Sequence, residues 1–162
     1  MEKKAIYSIG HGTRSAQDLL ALLQKFGILY LIDVRSVPHS AFNPQFNQAP
    51  LKAFLENNNV HYVFMGDALG GRPKDRLCYR LNGKVDYSIV KTRPFFIKGI
   101  HRLKTAYDKN IPVAFMCSEY KPEHCHRSRL IAAALYEQGI NVMHIDENGT
   151  LKDHATLAGA LL

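Results

Sequence analysis

The feature that most constrains the fold of this chain is a regular alternation of short apolar runs with stretches of helical periodicity. The apolar runs are typical of buried strands and lie at residues 5–9, 29–34, 60–65, 111–117 and 140–145. Helical periodicity follows Ser15, Pro50, Pro94 and Cys125, and a helical tail is predicted for residues 153–162. Strands that are apolar on both faces favour a parallel sheet between helices. We therefore predict an α/β fold: a three-layer, open, mostly parallel five-stranded sheet with helices on both faces, in the order 3-2-1-4-5.

Histidine, cysteine, arginine and acidic residues are concentrated at one edge of this predicted sheet. Right-handed crossovers place all strand-to-helix loops at the carboxyl edge, where open α/β sheets bind ligands. The helix-to-strand loops contain nothing comparable. The loops at the carboxyl edge contain His11, Arg14, Asp33, Arg35, Arg72, Cys117, Glu119 and Arg127. We therefore expect the functional site at the carboxyl edge.

The segment from Cys117 to Arg127 contains both candidate nucleophiles and two candidate anion-binding residues. Cys117 ends a predicted strand, and Cys125 lies beside the first turn of the next helix. Cys117 is either a packed core residue or a nucleophile, because a helix N-terminus and a nearby arginine lower the pKa of a thiol. Cys125 competes for the nucleophilic role because it is closer to the helix terminus. Arg127 and His126 are candidates for binding an anionic group.

The loops after the first two strands offer alternatives that the sequence leaves open. Residues 10–14 either seat a phosphate on backbone N–H groups or simply make a tight turn. Asp33 and Arg35 either form a fixed ion pair that orients the crevice, or Arg35 binds the ligand and Asp33 acts as a base.

Five histidine and cysteine side chains also raise the question of a zinc site. They are His11, Cys117, His124, Cys125 and His126. Paired zinc ligands are usually two to four residues apart, and three adjacent residues cannot easily face one metal. The glycine spacing after the first strand matches neither a dinucleotide-binding motif nor a P-loop. We therefore predict neither a metal site nor a cofactor.

The net charge of +7 comes from one segment of the chain. Residues 72–109 contain eleven lysines and arginines against three aspartates, whereas the remainder contains ten basic and eleven acidic residues. So concentrated a positive field favours a phosphate-bearing or otherwise acidic partner. Tyr79 and Tyr87 lie in the same segment and offer rings on which bases stack. On most helices, however, a basic face such as that of Lys98, Arg102 and Lys109 is solvated surface.

Length and composition indicate one domain of 162 residues, with residues 66–93 as a long basic loop or lid. No apolar run is long enough to span a membrane, and residues 1–5 lack the apolar core of a signal peptide. Three cysteines is an odd number in a chain without an export signal. We therefore expect reduced thiols and a cytoplasmic location.

Six motifs resemble a known family of bacterial and archaeal proteins, domain of unknown function 488. They are SIGHGTR at 8–14, LIDVRSVP at 31–38, NPQFN at 43–47, LGGR at 69–72, MCSE at 116–119 and CHR at 125–127. The motifs span nearly the whole chain in order. The resemblance implies a single cytoplasmic α/β domain and does not imply a reaction. Gly12 stands where the family often has serine.

We expect an enzyme that acts on a phosphate-bearing substrate, a nucleotide or a nucleic acid, at the carboxyl edge of the sheet. The candidate catalytic residues are Cys117, Cys125, Glu119, His11 and Asp33, and the candidate substrate-binding residues are Arg14, Arg35, Arg72, His126 and Arg127. In this hypothesis His11 and Glu119 act as acid and base, and one of the two cysteines is the reactive thiol. The alternative is a non-catalytic nucleic-acid-binding module that uses residues 72–109, with Cys117 as a core residue. Neither hypothesis involves a membrane.

Overall fold

A computed structural model describes residues 5–161, with side chains described as far as Gly159. Residues 1–4 and the predicted helix end at Leu162 lie outside this range. The strands are β1 (Ile6–Gly10), β2 (Tyr30–Asp33), β3 (His61–Phe64), β4 (Val113–Cys117), β5 (Val142–Ile145) and β6 (Leu151–Asp153). The helices are α1 (Ala16–Lys25), α2 (Gln48–Glu56), α3 (Gly66–Leu69), α4 (Tyr87–Val90), α5 (Pro94–Asp108), α6 (Ala133–Glu137) and α7 (His154–Leu161). A π-helical segment, Arg127–Ala132, leads directly into α6.

The predicted α/β architecture is confirmed, but the predicted sheet differs from the observed one in two respects. The observed order is β3-β2-β4-β1-β5-β6, so β4 lies between β2 and β1, and the predicted order 3-2-1-4-5 is wrong. Strand order was not readable from the sequence because the strands are similarly short and apolar. The sheet is mostly parallel, as predicted, but it has six strands rather than five: β6 pairs antiparallel with β5, after hydrogen bonds at Asp146 reverse the chain. Strand β6 is only three residues long and half-buried, so its sequence lacks the apolar pattern that would predict a strand.

Alternating residues of the strands bury two separate apolar layers against the helices. Val113, Phe115 and Cys117 of β4 pack in the layer that contains α5 and the residues around α6. Ala114 and Met116 pack in the opposite layer with α1 and α2. Helices therefore cover both faces of the sheet, as the apolar strands predicted. None of the helices in the described chain is long and apolar enough to cross a membrane.

A local capping signal places the start of α1 correctly, whereas the starts of some other helices shift by one or two residues. Ser15 caps α1 by accepting a hydrogen bond from the Asp18 N–H, as predicted. Helix α2 begins at Gln48 rather than at the predicted Pro50. Proline is tolerated there because the first N–H groups of a helix have no partner within it.

The segment 66–93, for which no periodicity was found, contains α3, α4 and a short 3₁₀ turn at Arg76–Cys78. Leu69, Cys78 and Val90 are fully buried in the layer below α5. The segment is therefore anchored to the core at three points, and its tip between Tyr79 and Val85 extends outward as a hairpin-like turn.

Candidate active site

Three loops at the carboxyl edge, with part of the segment 66–93, enclose a cavity of about 580 Å³. Two backbone N–H groups join these parts: His11 donates to the Cys117 carbonyl over 3.0 Å, and Arg72 donates to Ser36 Oγ over 2.9 Å. Because β4 lies between β1 and β2, the loops that follow these three strands meet. The predicted site residues in the cavity wall are His11, Arg35, Arg72, Cys117, Glu119, Cys125 and His126.

Cys125 has polar neighbours that favour its thiolate. Nδ1 of His126 lies 3.5 Å from the Cys125 sulfur, and the Arg127 N–H donates to the same sulfur over 3.5 Å. Nε2 of His126 donates to the Val34 carbonyl over 3.1 Å, which directs Nδ1 at the sulfur. A nucleophile, a base and a group that orients the base form the arrangement that activates a catalytic thiol.

Gly71 packs directly against the His126 ring. A Cβ atom at this position would lie 3.1 Å from Cγ and Nδ1 of the imidazole, closer than an ordinary van der Waals contact. The absence of a side chain therefore lets the backbone of the segment 66–93 hold the ring in place.

The pKa values of the two cysteines in the cavity shift in opposite directions. The Cys117 side chain lowers the pKa of Cys125 well below the ordinary value of a thiol, while Sγ of Cys117 donates to the Glu119 carbonyl over 3.7 Å. His126 lowers it further through its hydrogen bond and positive charge. Burial raises the pKa of Cys117 well above its ordinary value, and the charge on Cys125 raises it further. Cys125 is therefore the thiolate and Cys117 keeps its proton.

Asp33 and Arg35 form a buried, bidentate ion pair. Nε and Nη2 of Arg35 donate to the two carboxylate oxygens over 2.9 and 2.8 Å, and both residues are buried. Nη2 also donates to the Phe46 carbonyl, and the Tyr62 hydroxyl donates to Asp33. Asp33 does not line the cavity, and the hydrogen bonds of its carboxylate are with Arg35 and Tyr62, so the ion-pair alternative fits the structure better than a catalytic base.

His11 is held as a neutral imidazole between Arg35 and Phe46. Its Nδ1 lies 2.8 Å from the Gly12 carbonyl, so Nδ1 carries the hydrogen and Nε2 accepts from Arg35 Nη1 at 3.4 Å. Burial lowers the pKa of His11 to about 4, and its ring stacks on Phe46 with the ring centroids 4.4 Å apart. These contacts favour a positioning role for His11 over the acid–base role suggested by the sequence.

The backbone of residues 10–14 is already engaged within the protein. The N–H groups of His11 and Gly12 donate to the carbonyls of Cys117 and Ser118, and the Arg14 N–H donates to the His11 carbonyl. These three donors are not free to hold a phosphate. The geometry therefore favours the tight turn over the phosphate seat.

Two of the predicted anion-binding arginines lie behind the cavity rather than in its wall. Arg14 donates to the Gly10 and Asp146 carbonyls, and its guanidinium lies 4.9 Å from the centre of the Tyr120 ring. Arg127 is fully buried and donates from Nη2 to the Tyr120 carbonyl over 2.9 Å. Nε and Nη1 of Arg127 have no hydrogen-bond partner in the described structure.

The cavity wall also contains polar residues outside the predicted catalytic and substrate-binding sets: Ser36, His39, Ser40 and Ser118, together with Tyr87 and His124, which the sequence had suggested only for base stacking and as a zinc-ligand candidate. Ser36, His39 and Ser40 follow the carboxyl end of β2, so their position after a strand was the signal available. Tyr87 begins α4 in the segment 66–93 and reaches the cavity through tertiary packing alone.

A second cavity of about 480 Å³ also has Cys125 in its wall. It shares Gly71, Arg72, Tyr87, His124 and Cys125 with the first cavity, so the two adjoin each other. Its remaining wall contains Tyr79, Gly83, Lys84, Val85 and Arg129. Cys125 therefore lies at the junction of two basic chambers.

The histidines and cysteines around the cavity do not converge on one point. Within residues 5–161, no group of three or more His, Cys, Asp or Glu side chains is placed to hold a metal ion. The hydrogen bonds given above account for both ring nitrogens of His11 and of His126.

The family model described as domain of unknown function DUF488 matches residues 15–135, which is more than half of the chain. The chain belongs to the DUF488 family. The resemblance found in the sequence is thereby confirmed, and the match includes Arg35, Arg72 and the Cys117–His126 region of the cavity. Among curated proteins, and among solved structures, no significant match to the chain is found.

Proposed function

We propose that this DUF488 protein is an enzyme that acts on a phosphate-bearing substrate, a nucleotide or a nucleic acid, with Cys125 as its nucleophile. The observation that carries the proposal is the Cys125–His126–Val34 arrangement in the wall of a basic cavity. A thiol of lowered pKa that lines a cavity beside positively charged groups is typical of a reactive cysteine rather than of a packing residue.

Positive and hydrogen-bonding groups around Cys125 are suited to an anion. The hydrogen bonds of Arg35 use four of its five N–H groups, and the fifth, on Nη1, remains for a ligand in the cavity. Arg72, His39 and His124 are exposed at the same wall. Arginine beside a cavity is well suited to phosphate oxygens because its planar fork matches their geometry.

The second chamber supports a substrate larger than a free phosphate. Tyr79 and Tyr87 offer aromatic faces there, and Lys84 and Arg129 offer positive charge. Aromatic rings interleaved with basic groups bind nucleobases and their phosphates. A substrate that extends to both sides of Cys125 fits this arrangement.

The proposed step is displacement at phosphorus. The Cys125 thiolate attacks the phosphorus atom, an S–P bond forms, and the P–O bond to the leaving group breaks while His126 gives that oxygen a proton. Water then attacks the phosphocysteine, the S–P bond breaks, and the proton of the water returns to His126. The net reaction is hydrolysis of a phosphate ester. In this proposal Glu119, which is exposed in the cavity wall, orients this water.

The test measures phosphate release from p-nitrophenyl phosphate, adenosine monophosphate and a phosphorylated single-stranded oligonucleotide. We expect Cys125→Ser to abolish release and Cys78→Ala, a change at a buried thiol outside both cavities, to retain it. The proposal is overturned by absence of phosphate release from all three compounds together with absence of orthovanadate binding in calorimetry.

The second candidate is non-catalytic nucleic-acid binding by residues 72–109. Four of the basic residues in this segment, Arg80, Lys91, Arg93 and Lys104, form ion pairs with carboxylates, but the segment keeps its excess of positive charge. This candidate requires oligonucleotide binding that weakens steeply with salt and is unchanged in Cys125→Ser. Salt-independent or absent binding rejects it.

A further inference from the structure

Two thiols that differ in ionisation share one wall of the cavity. Cys117 ends β4 and Cys125 precedes the following helical segment, and the fold brings both thiols into the same cavity wall, where each affects the ionisation of the other. Both line the first cavity, and Cys125 also lines the second. Cys125 is 6% exposed and Cys117 is 1% exposed, so a small molecule in the cavity meets Cys125 first.

We propose that Cys117 and Cys125 form a dithiol–disulfide redox pair, in which Cys125 reacts with a hydroperoxide and Cys117 resolves the product. Redox-active cysteines are typically accessible thiolates with a second cysteine beside them. The proposal goes beyond phosphate chemistry and shares with it only the requirement that Cys125 is the reactive sulfur.

The chemical step balances with the hydroperoxide as the only oxidant. The Cys125 thiolate attacks the terminal oxygen of the hydroperoxide, an S–O bond forms, the O–O bond breaks, and the alkoxide leaves and takes a proton. The Cys117 sulfur, on losing its proton, then attacks the Cys125 sulfenic acid, an S–S bond forms, and the S–O bond breaks to release water. Two thiols are oxidised and one hydroperoxide is reduced to an alcohol and water.

Arg127 supplies a physical reason why the second step is feasible at a buried thiol. Its guanidinium is fully buried, and two of its nitrogens have no hydrogen-bond partner in the described structure. Its positive charge opposes the effects that keep Cys117 protonated. Once Cys125 has been oxidised and has lost its negative charge, the obstacle to ionising Cys117 that remains is burial, and Arg127 offsets part of it.

The experiment treats the reduced protein with hydrogen peroxide and then digests it without reduction, using a protease that cleaves after glutamate. Glu119 and Glu123 lie between the two cysteines, so the peptides that contain Cys117 and Cys125 remain together only through a disulfide. We expect this linked pair, a fall from three free thiols to one, and full recovery of the thiols with dithiothreitol.

Three variants assign the roles. Cys125→Ser should not react with hydrogen peroxide, and Cys117→Ala should stop at a sulfenic acid that dimedone traps. Cys78→Ala should form the disulfide as the unchanged protein does, because Cys78 lines neither cavity. Oxidation of Cys125 to sulfinic acid without a disulfide, or a disulfide that includes Cys78, overturns the proposal. If phosphate release depends on Cys125 but no disulfide forms, the redox inference fails and the proposed function stands.

Discussion

Nδ1 of His126 lies 3.5 Å from the sulfur of Cys125, its neighbour in the sequence. The two side chains meet because Cys125 is extended, with φ −132° and ψ 154°, whereas His126 is helical, with φ −60° and ψ −19°. The backbone turns between them, and the Val34 carbonyl fixes the ring from the opposite side. The position of the His126 ring against Cys125 therefore depends on a contact with Val34, the residue that follows β2.

The first prediction concerns alkylation of Cys125 by iodoacetamide. Because the pKa of Cys125 is well below its ordinary value, the rate at pH 6 should remain close to that at pH 8. An ordinary thiol, with a pKa of about 8.5, slows by roughly 70-fold over this interval. The rate is read by peptide mass. Cys78 is the internal control, since burial raises its pKa and the folded protein should leave it unmodified. A steep fall in the Cys125 rate between pH 8 and pH 6 contradicts the assignment of the thiolate.

The second prediction is that His126→Gln slows alkylation of Cys125 at pH 6 by about tenfold or more. The substitution removes the charge and hydrogen bond that favour the thiolate, so the pKa of Cys125 rises. His101→Gln changes an exposed histidine of α5 and is the matched control. Equal rates in the two variants exclude a role for His126 in activating Cys125.

The third prediction is that Gly71→Ala lowers the reactivity of Cys125 with little loss of stability. The new methyl group would meet the His126 ring at 3.1 Å, so the ring must move by a few tenths of an ångström from its position against the sulfur. Alkylation at pH 6 and urea unfolding separate the two effects. Gly159→Ala is the control, because a Cβ atom there has no neighbour within 4 Å. An unchanged alkylation rate would show that the ring does not depend on Gly71.

The fourth prediction compares a buried and an exposed ion pair by urea unfolding. Arg35→Met leaves the buried Asp33 carboxylate without its cation, and we expect a loss of about 3–5 kcal/mol in the free energy of unfolding. Arg80→Met breaks the exposed pair with Asp86 and should cost less than about 1 kcal/mol. Similar losses in both variants contradict the structural role of the Asp33–Arg35 pair.

The fifth prediction concerns stability in acid. Burial lowers the pKa of His144 to about 2 and that of His11 to about 4, so at pH 5 both are neutral in the folded state. In the unfolded chain a histidine takes up a proton below about pH 6.5. The unfolded state then binds more protons, and the free energy of unfolding falls as the pH decreases from 6.5 to 4, by up to about 1.4 kcal/mol per pH unit for each histidine.

His144→Gln tests this by removing one such group. The slope of the unfolding free energy against pH should become shallower over this interval, whereas His101→Gln should leave it unchanged. Unfolding in urea at a series of pH values gives both slopes. Parallel slopes for the unchanged protein and His144→Gln refute the assignment.

Periodicity in the sequence determined the five parallel strands, the longer helices and the edge at which the polar residues gather, but it did not reveal the short elements β6, α3 and α4. Short runs that are apolar on both faces fix strands buried between helices, and the handedness of crossovers puts Arg35, Cys117 and Cys125 at one edge. Strand patterns and crossover handedness follow from local backbone geometry, so they can be predicted from a single sequence. The motifs likewise identified the DUF488 family.

Tertiary structure alone decided what each group at that edge does. The insertion of β4 between β2 and β1 brings Val34 to His126, and side-chain pattern carries no information on which strands neighbour each other. Whether an arginine faces a cavity or the core, as Arg35 and Arg127 do, depends on which carbonyls and carboxylates the folded chain leaves nearby. The ionisation of Cys125 depends in the same way on a thiol eight positions earlier and on an imidazole held by the Val34 carbonyl, because a pKa responds to neighbours in space.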